Sequence, residues 1–189
     1  MVAIYSSKGG VGKTSLAFSL AQDLNLGIIT NDRCATYEIL KEKVKYIEGV
    51  MPMANALYDL GGFSTGHVLD VLNEADVVII PVTPDFNALQ RALEVIGEIE
   101  ADKVVAVANM LENEEEYTFI KSSLLAKVTV PIVPLKRSKL ISNTLLTGQS
   151  ARVLYEESGL SKYSYRYIWP QYEALLTLIQ KRIHHGQAA

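Results

Sequence analysis

Short apolar runs alternate with amphipathic segments along the 189 residues of this chain. The apolar runs occupy residues 2–5, 27–30, 54–58, 77–82, 104–108 and 128–133. Apolar residues recur at helical spacing in 14–24, 64–74, 86–100, 114–126, 138–146 and 170–183. Most of the apolar runs lack in-and-out alternation, which is typical of strands buried on both faces of a parallel sheet. The pattern therefore predicts alternating strands and helices.

Such alternation predicts the α/β class, with a doubly wound, mostly parallel sheet flanked by helices and connected by right-handed crossovers. The chain length and the 49% hydrophobic content fit one compact core, so we expect residues 1–189 to form a single domain. After the turn at Gly148, an irregular stretch is expected before the last helix, and the final four residues are expected to fray.

The composition predicts a soluble, cytoplasmic protein in a reducing compartment. No apolar run approaches the roughly 18 to 20 residues that cross a bilayer, and no charged-then-apolar leader opens the chain. The single cysteine, Cys34, has no Cys or His neighbour at metal-ligand spacing. We therefore expect neither an internal disulfide nor a metal cage.

A phosphate-binding loop is predicted at residues 7–14, which read Ser-Lys-Gly-Gly-Val-Gly-Lys-Thr between the first strand and the first helix. Glycines allow successive backbone N–H groups to turn toward phosphate oxygens, and the N-terminus of the helix adds a favourable dipole. Lys13 can reach the β- and γ-phosphates, and the Thr14 hydroxyl can ligate Mg²⁺. The loop therefore predicts ATP and Mg²⁺ as cofactors.

A strict Walker A motif has glycine where this chain has Ser7, and the stretch from Lys8 to Thr14 resembles the deviant Walker A box of the ParA/MinD family. The resemblance covers essentially the whole chain, is strongest at 7–15 and is weakest at 30–50. It implies an ATPase that forms a homodimer with ATP sandwiched between the subunits. It also implies that Lys8 reaches the phosphates of the partner subunit, where added positive charge stabilises the transition state.

Two acidic residues resemble the switch motifs of that family. Asp32 matches the second aspartate of an Asp-x-Asp-Pro-Gln motif, although Thr30 replaces the first aspartate and Arg33-Cys34 replace Pro-Gln. The resemblance implies that Asp32 positions the attacking water or contacts Mg²⁺, with slow or differently regulated hydrolysis; a helix-capping aspartate is the alternative. Asp59 ends an apolar run before two glycines and is implied to hold a Mg²⁺-bound water, with a simple turn as the alternative.

Asn109 ends a later apolar run, at a point where the family tends to use an asparagine to contact the adenine edge. A turn-forming role for Asn109, with the base held by the loop after Val133, stays open. The implied catalytic residues are Lys8, Lys13 and Asp32, and the implied metal ligands are Thr14, Asp32 and, through water, Asp59. The implied nucleotide-binding residues are Lys8, Gly9, Gly10, Val11, Gly12, Lys13, Thr14, Ser15 and Asn109.

The net charge of −3 hides an asymmetry between the two parts of the chain. Residues 1–126 hold 9 Lys+Arg against 18 Asp+Glu, whereas residues 127–189 hold 9 against 3. A basic segment on an acidic protein indicates either a polyanion-binding face or solvated helix surfaces. The candidate DNA-binding residues are Lys136, Arg137, Lys139, Arg152, Lys162 and Arg166, with Lys181 and Arg182 as further cations.

The family resemblance implies non-specific DNA binding by the ATP dimer, with release when a ParB-like or adaptor protein stimulates hydrolysis. Plasmid or chromosome partition, or the positioning of other cargo, would follow, and the protein would be nucleoid-associated in the cytoplasm. A chain this short is expected to have no extra N-terminal DNA-binding domain.

Three alternatives stay open at this point. The segment 172–183 has an apolar stripe with two adjacent cations, as in the membrane-binding helix of MinD-like proteins, but we interpret it as a helix that completes the fold. Tyrosines at 155, 163, 165, 167 and 172 resemble the tyrosine cluster of bacterial tyrosine kinases, although packing is the simpler interpretation. The altered switch also permits a non-catalytic, ATP-dependent regulator.

Overall fold

The computed structural model of the chain describes residues 1–31, 40, 43–46, 53–62 and 66–186. Seven parallel strands form one sheet in the order β3-β2-β4-β1-β5-β6-β7. The strands are β1 (Val2–Ser6), β2 (Gly27–Thr30), β3 (Val44–Tyr46), β4 (Ala56–Gly61), β5 (Val77–Val82), β6 (Val104–Leu111) and β7 (Ile132–Lys136).

Helices follow most of the strands. They are α1 (Lys13–Asp23), α2 (Gly66–Glu74), α3 (Phe86–Ile96), α4 (Glu114–Leu125), α5 (Lys139–Thr147), α6 (Ala151–Glu156), α7 (Gly159–Tyr165) and α8 (Trp169–Gly186). The predicted α/β class with a parallel, doubly wound sheet is confirmed. No helix in the described ranges is both long and apolar enough to traverse a lipid bilayer.

The sheet separates two apolar clusters, because successive side chains of a strand point to opposite faces. In β1, Val2 and Ile4 join one cluster and Ala3 and Tyr5 join the other. Helices α1, α5, α6 and α8 contribute buried residues to the first face, and α2, α3 and α4 contribute them to the second. The central strands are therefore buried on both sides, as their continuous apolar runs predicted.

The structure differs from the predicted elements in several places. The edge strand β3 was not predicted, since a three-residue strand is too short to produce a periodic signal. Strand β7 starts at Ile132 rather than at 128, because Val128 and Val130 pack against the core ahead of the strand. The stretch expected to be irregular contains α6 and α7, whose first turns are capped by Ser150 and Ser158.

The carboxyl ends of the parallel strands lie along one edge of the sheet. Strand β1 lies between β4 and β5, and the chain continues from β1 directly through residues 7–12 into α1. A crevice at the carboxyl edge of an open α/β sheet, where the strand order reverses, is the usual position of a ligand site. The predicted phosphate loop occupies this position.

Candidate nucleotide-binding site

The loop between β1 and α1 has the backbone geometry of a phosphate cradle. Gly10 and Gly12 have φ angles of +80° and +77°, in the left-handed region that favours glycine. Gly12 is the N-cap of α1, and no side chain in the described ranges caps that helix end by a hydrogen bond. The first-turn N–H groups, which lack helical acceptors, therefore border a cavity of about 250 Å³ lined by residues 8–15.

The ammonium group of Lys13 forms an ion pair with the carboxylate of Asp59 beside this loop. Asp59 is completely buried and Lys13 is 8% exposed. In β4, Asp59 lies level with Ile4 of β1 and Thr30 of β2, two residues before the end of the strand. The pair thus holds opposite charges in place next to the loop, within the interior of the protein, where an uncompensated charge is costly.

Two further contacts fix the carboxyl end of β4. Thr30, predicted to stand where the family has its first switch aspartate, donates its hydroxyl to the backbone carbonyl of Asp59 at 2.9 Å. The side-chain amide of Asn31 accepts from the Gly61 N–H at 3.0 Å and donates to the Gly61 carbonyl at 3.3 Å. These contacts were not predicted, because they join residues about 30 positions apart and depend on β2 lying next to β4.

Asp32, which is predicted to be the second switch aspartate, lies outside the described residues, as do Arg33 and Cys34. Its predicted role beside Mg²⁺ therefore stays a prediction. Asn31, the last described residue before this gap, is paired with Gly61.

Lys8, the predicted signature lysine, is half-buried and lies near the first turn of α3. Its backbone N–H donates to the Ser6 hydroxyl at 3.2 Å. Asp85 caps α3 by accepting from the Ala88 N–H at 2.9 Å and from the Thr83 hydroxyl at 2.8 Å. The Ala88 hydrogen bond, with smaller contributions from Thr83 and from the positive charge of Lys8, lowers the pKa of Asp85 despite partial burial.

A second cavity of about 390 Å³ extends from the phosphate loop along the ends of β6 and β7. Gly12 and Ser15 line it from the loop side, and Asn109 and Met110 line it from β6. Asn109 is 6% exposed, and its side-chain amide donates to the Val11 carbonyl at 2.7 Å. The structure therefore places the predicted adenine residue in this cavity's wall and also in contact with the phosphate loop.

Solved structures with a similar fold include proteins described as ATPases. McdA of Cyanothece has a TM-score of 0.62 at 13% identity, covering 96% of this chain and 98% of that one. A ParA family ATPase from Chlorobium tepidum has a TM-score of 0.55 at 17% identity, covering 89% and 98%. The septum site-determining protein MinD of Pyrococcus horikoshii, complexed with Mg-ADP, has a TM-score of 0.59 at 12% identity, covering 96% and 97%. The chain has the ParA/MinD fold.

Neither a protein-family profile nor a curated protein sequence matches the chain. The ParA/MinD fold is therefore shared at low sequence identity, and residues 8–14 carry the predicted resemblance to the deviant Walker A box. Fold and motif agree, since the loop lies between the first strand and the first helix of that fold.

In this ParA/MinD fold, the six predicted DNA-binding residues divide into two groups, all of them exposed. Lys136, Arg137 and Lys139 line the second cavity, where β7 leads into α5. The guanidinium of Arg137 also lies 3.4 Å from the carboxylate of Glu112. These three cations therefore line the same cavity as the end of the phosphate loop, and a bound nucleotide is an alternative ligand to DNA for them.

The second group lies on α6 and α7. The guanidinium of Arg152 lies 5.4 Å from the ring centre of Trp169. The Arg166 guanidinium lies between two exposed rings, 3.9 Å from the centre of Tyr163 and 4.3 Å from that of Tyr167. Lys162 is in the last turn of α7. These stacked arginines keep their charges at the surface while the rings fix their orientation.

The apolar stripe of α8 is part of the core. Tyr172 is buried and donates its hydroxyl to Asp23 at 2.9 Å, and burial, followed by the charge of Asp23, raises its pKa well above the usual value. Leu175, Leu176 and Ile179 are also buried. Tyr155 stacks on Trp169 with ring centres 4.3 Å apart. These observations support the interpretation that α8 completes the fold and that these tyrosines serve packing.

Proposed function

We propose that this chain is an ATPase of the ParA/MinD family that depends on Mg²⁺, forms an ATP-sandwiched homodimer and binds DNA non-specifically until hydrolysis releases it. The observation that most supports this proposal is the loop before α1, in which Gly10 and Gly12 have positive φ angles and beside which Lys13 and Asp59 form an ion pair. A triphosphate matches this arrangement, because it accepts hydrogen bonds from backbone N–H groups and favours a nearby ammonium.

The residues present fit Mg-ATP. Thr14 supplies a hydroxyl in the first turn of α1, and Asp59 supplies a buried carboxylate on β4, the strand next to β1. Both are oxygen groups of the kind that Mg²⁺ prefers. When bound, Mg²⁺ would neutralise charge on the phosphate oxygens. Lys13 would share its ammonium between Asp59 and the phosphates, and Asp59 would hold a metal-bound water.

Lys8 has a different proposed role. Its backbone N–H bonds to the hydroxyl of Ser6 at the end of β1. Its positive charge is close enough to Asp85 to lower the pKa of that carboxyl. We propose that Lys8 reaches the phosphates of the partner subunit, where a positive charge stabilises the transferring phosphoryl group. Asp32 is proposed to position the attacking water.

DNA binding is proposed for the six exposed cations Lys136, Arg137, Lys139, Arg152, Lys162 and Arg166. Non-specific binding requires contacts to phosphates rather than to base edges, so exposed Lys and Arg side chains are sufficient. The proposed consequence is partition of a plasmid or chromosome, or positioning of other cargo, by a cytoplasmic, nucleoid-associated protein. A ParB-like or adaptor protein is the proposed stimulator of hydrolysis.

A second candidate is an ATP-dependent regulator with slow hydrolysis. The observation that favours it is Thr30, which is buried and bonded to the Asp59 backbone at the position where the family has an aspartate. A MinD-like membrane role is less favoured, because the apolar stripe of α8 is buried in the core.

Gel filtration and DNA retention with ADP, ATP and a slowly hydrolysed ATP analogue, each at two salt concentrations, test the proposal. We expect a dimer and DNA binding with ATP or the analogue alone, and DNA affinity that falls with salt. Vesicle flotation with ATP is the parallel assay: vesicle binding without DNA binding would favour the MinD-like alternative. DNA binding that is equal in all nucleotide states would contradict the proposed switch.

A further inference from the structure

The carboxyl end of β6 is joined to the phosphate loop by a buried hydrogen bond between residues 98 positions apart. The Asn109 Nδ2 group donates to the backbone carbonyl of Val11 at 2.7 Å. Val11 is buried, and its carbonyl belongs to the peptide that leads into Gly12, the N-cap of α1. A side chain of β6 therefore contacts the backbone of the predicted phosphate cradle directly.

The backbone of β6 is specially shaped at this point. The pairing with β7 shifts register between Asn109 and Leu111, and Met110 has a φ angle of +58°. A methionine in the left-handed region is uncommon, and bulges at strand ends commonly redirect a neighbouring side chain. The irregularity at Met110 thus adjoins the residue that bonds to Val11.

The phosphate loop packs closely against Asn109 and Met110 at Gly12. A Cβ atom added to Gly12 would lie 2.7 Å from the Met110 Cε and 2.8 Å from the Asn109 Nδ2. The loop backbone is thus in close contact with both side chains. Glycine at position 12 is required by this contact as well as by its φ angle of +77°.

The hydrogen bond has a directional consequence for the cradle. In a planar trans peptide the C=O and N–H groups point in opposite directions. When the Val11 carbonyl is held toward β6, the N–H of Gly12 must point away from β6. A fixed carbonyl direction therefore fixes one of the N–H groups in the segment that the proposed function assigns to phosphate binding.

We propose that Asn109 is a positioning residue of the phosphate loop, which orients the Val11–Gly12 peptide for phosphate binding before any ligand arrives. This inference depends on the proposed function for its ligand. It differs from the family-derived role of Asn109 as an adenine contact, because it requires an effect on ligands that have no base. The amide can serve both roles, since its oxygen is not used in the bond to Val11.

The test compares Mg²⁺-loaded ATP with inorganic tripolyphosphate, which has no base, on the full-length protein. Asn109→Ala is expected to raise the Kd for both ligands by a similar factor, roughly tenfold for the loss of the orienting hydrogen bond. Asn73→Ala is the matched control, because Asn73 is an exposed residue of α2 near the amino edge of the sheet. It is expected to leave both Kd values unchanged.

A Kd change for ATP with an unchanged Kd for tripolyphosphate would overturn the inference and leave Asn109 as a base contact alone. If the wild-type protein bound neither ligand, the proposed function would be wrong. In that case the role of Asn109 would be decided by the ligand-free measurement that follows.

Hydrogen–deuterium exchange of the ligand-free protein provides that measurement. Asn109→Asp keeps the size of the side chain but replaces the amide donor, so we expect faster exchange in the peptide covering residues 8–15. The peptides covering the core strands should exchange as in the wild type, which would show that the fold is retained. Unchanged exchange at residues 8–15 in this variant would overturn the positioning role.

Discussion

The two ends of the candidate nucleotide site are built in different ways. The phosphate end is one continuous segment, residues 8–15, whose glycines set the backbone and whose lysines supply the charge. The other end is assembled from Gly12, Asn109 and Lys136, which come from three distant parts of the chain. A site in one segment can be recognised by its spacing, whereas an assembled site requires the sheet order to be known.

The two ends also differ in how firmly their charged groups are held. The phosphate end holds the groups that act on a triphosphate, and its Lys13–Asp59 pair is buried and fixed. The cations of the other end, Lys136 and Lys139, are exposed. Changes at the phosphate end should therefore affect binding and turnover strongly, while changes among the exposed cations should have smaller effects.

Lys8→Ala should have the largest effect on turnover. A cation supplied across a dimer interface to the transferring phosphoryl group contributes on the order of 10³-fold in comparable enzymes. ATP binding by the monomer should be retained within about threefold, because Lys13 and the loop amides remain. Steady-state hydrolysis at several protein concentrations, with ATP titration of the monomer, measures both; full turnover by this variant would refute the sandwich arrangement.

Lys13→Ala should weaken ATP binding strongly and should also destabilise the fold. The loss of a charged hydrogen-bond partner corresponds to roughly 100-fold in Kd. Removal of Lys13 from the buried carboxylate of Asp59 should also lower the free energy of unfolding by about 3 kcal/mol. Calorimetric ATP titration and urea unfolding test these values, with Lys127→Ala, an exposed lysine after α4, as the control.

Asp32→Ala should trap the ATP-bound dimer, because the proposed water-positioning carboxylate would be lost while the phosphate loop stays intact. Gel filtration after incubation with ATP should show a dimer that persists for longer than that of the wild type. Unchanged turnover in this variant would remove Asp32 from the mechanism.

The paired change Lys162→Ala and Arg166→Ala should reduce DNA affinity without changing ATP affinity. In a plot of log K against log salt concentration, each lost phosphate contact reduces the size of the slope by about 0.9. Loss of two contacts should therefore reduce it by about 2. Lys121→Ala, an exposed lysine on α4, is the matched control. An unchanged salt slope would show that Lys162 and Arg166 do not contact DNA. The remaining candidates would then be Lys136, Arg137, Lys139 and Arg152.

Asp85→Ala should have the smallest effect, a loss of about 1 kcal/mol for an N-cap. The pKa of Asp85 is lowered in the folded state, so its contribution is present above the ordinary carboxyl pKa of about 4 and is lost as the pH falls through the folded pKa. The difference in the free energy of unfolding between wild type and variant should therefore be fully present at pH 7 and should shrink as the pH is lowered into the acid range. A constant difference would contradict this assignment.

Much of the fold followed from the sequence because apolar runs mark buried parallel strands, and the phosphate loop followed from glycine and lysine spacing. The pairing of Lys13 with Asp59 could not be derived, since it depends on β4 lying next to β1. The left-handed backbone of Met110 was equally hidden, because methionine carries no turn signal. Ser150 and Ser158, which cap α6 and α7, are helix-start signals in the sequence, so the prediction of an irregular stretch there overlooked them.

The most direct test of the central claim is calorimetric titration of the purified chain with ATP in the presence of Mg²⁺, alongside Lys13→Ala. We expect saturable binding to the wild type and a Kd raised roughly 100-fold in the variant, because the loop amides and Lys13 together hold the triphosphate. Absence of binding to the wild type, or equal binding to both proteins, would contradict the account.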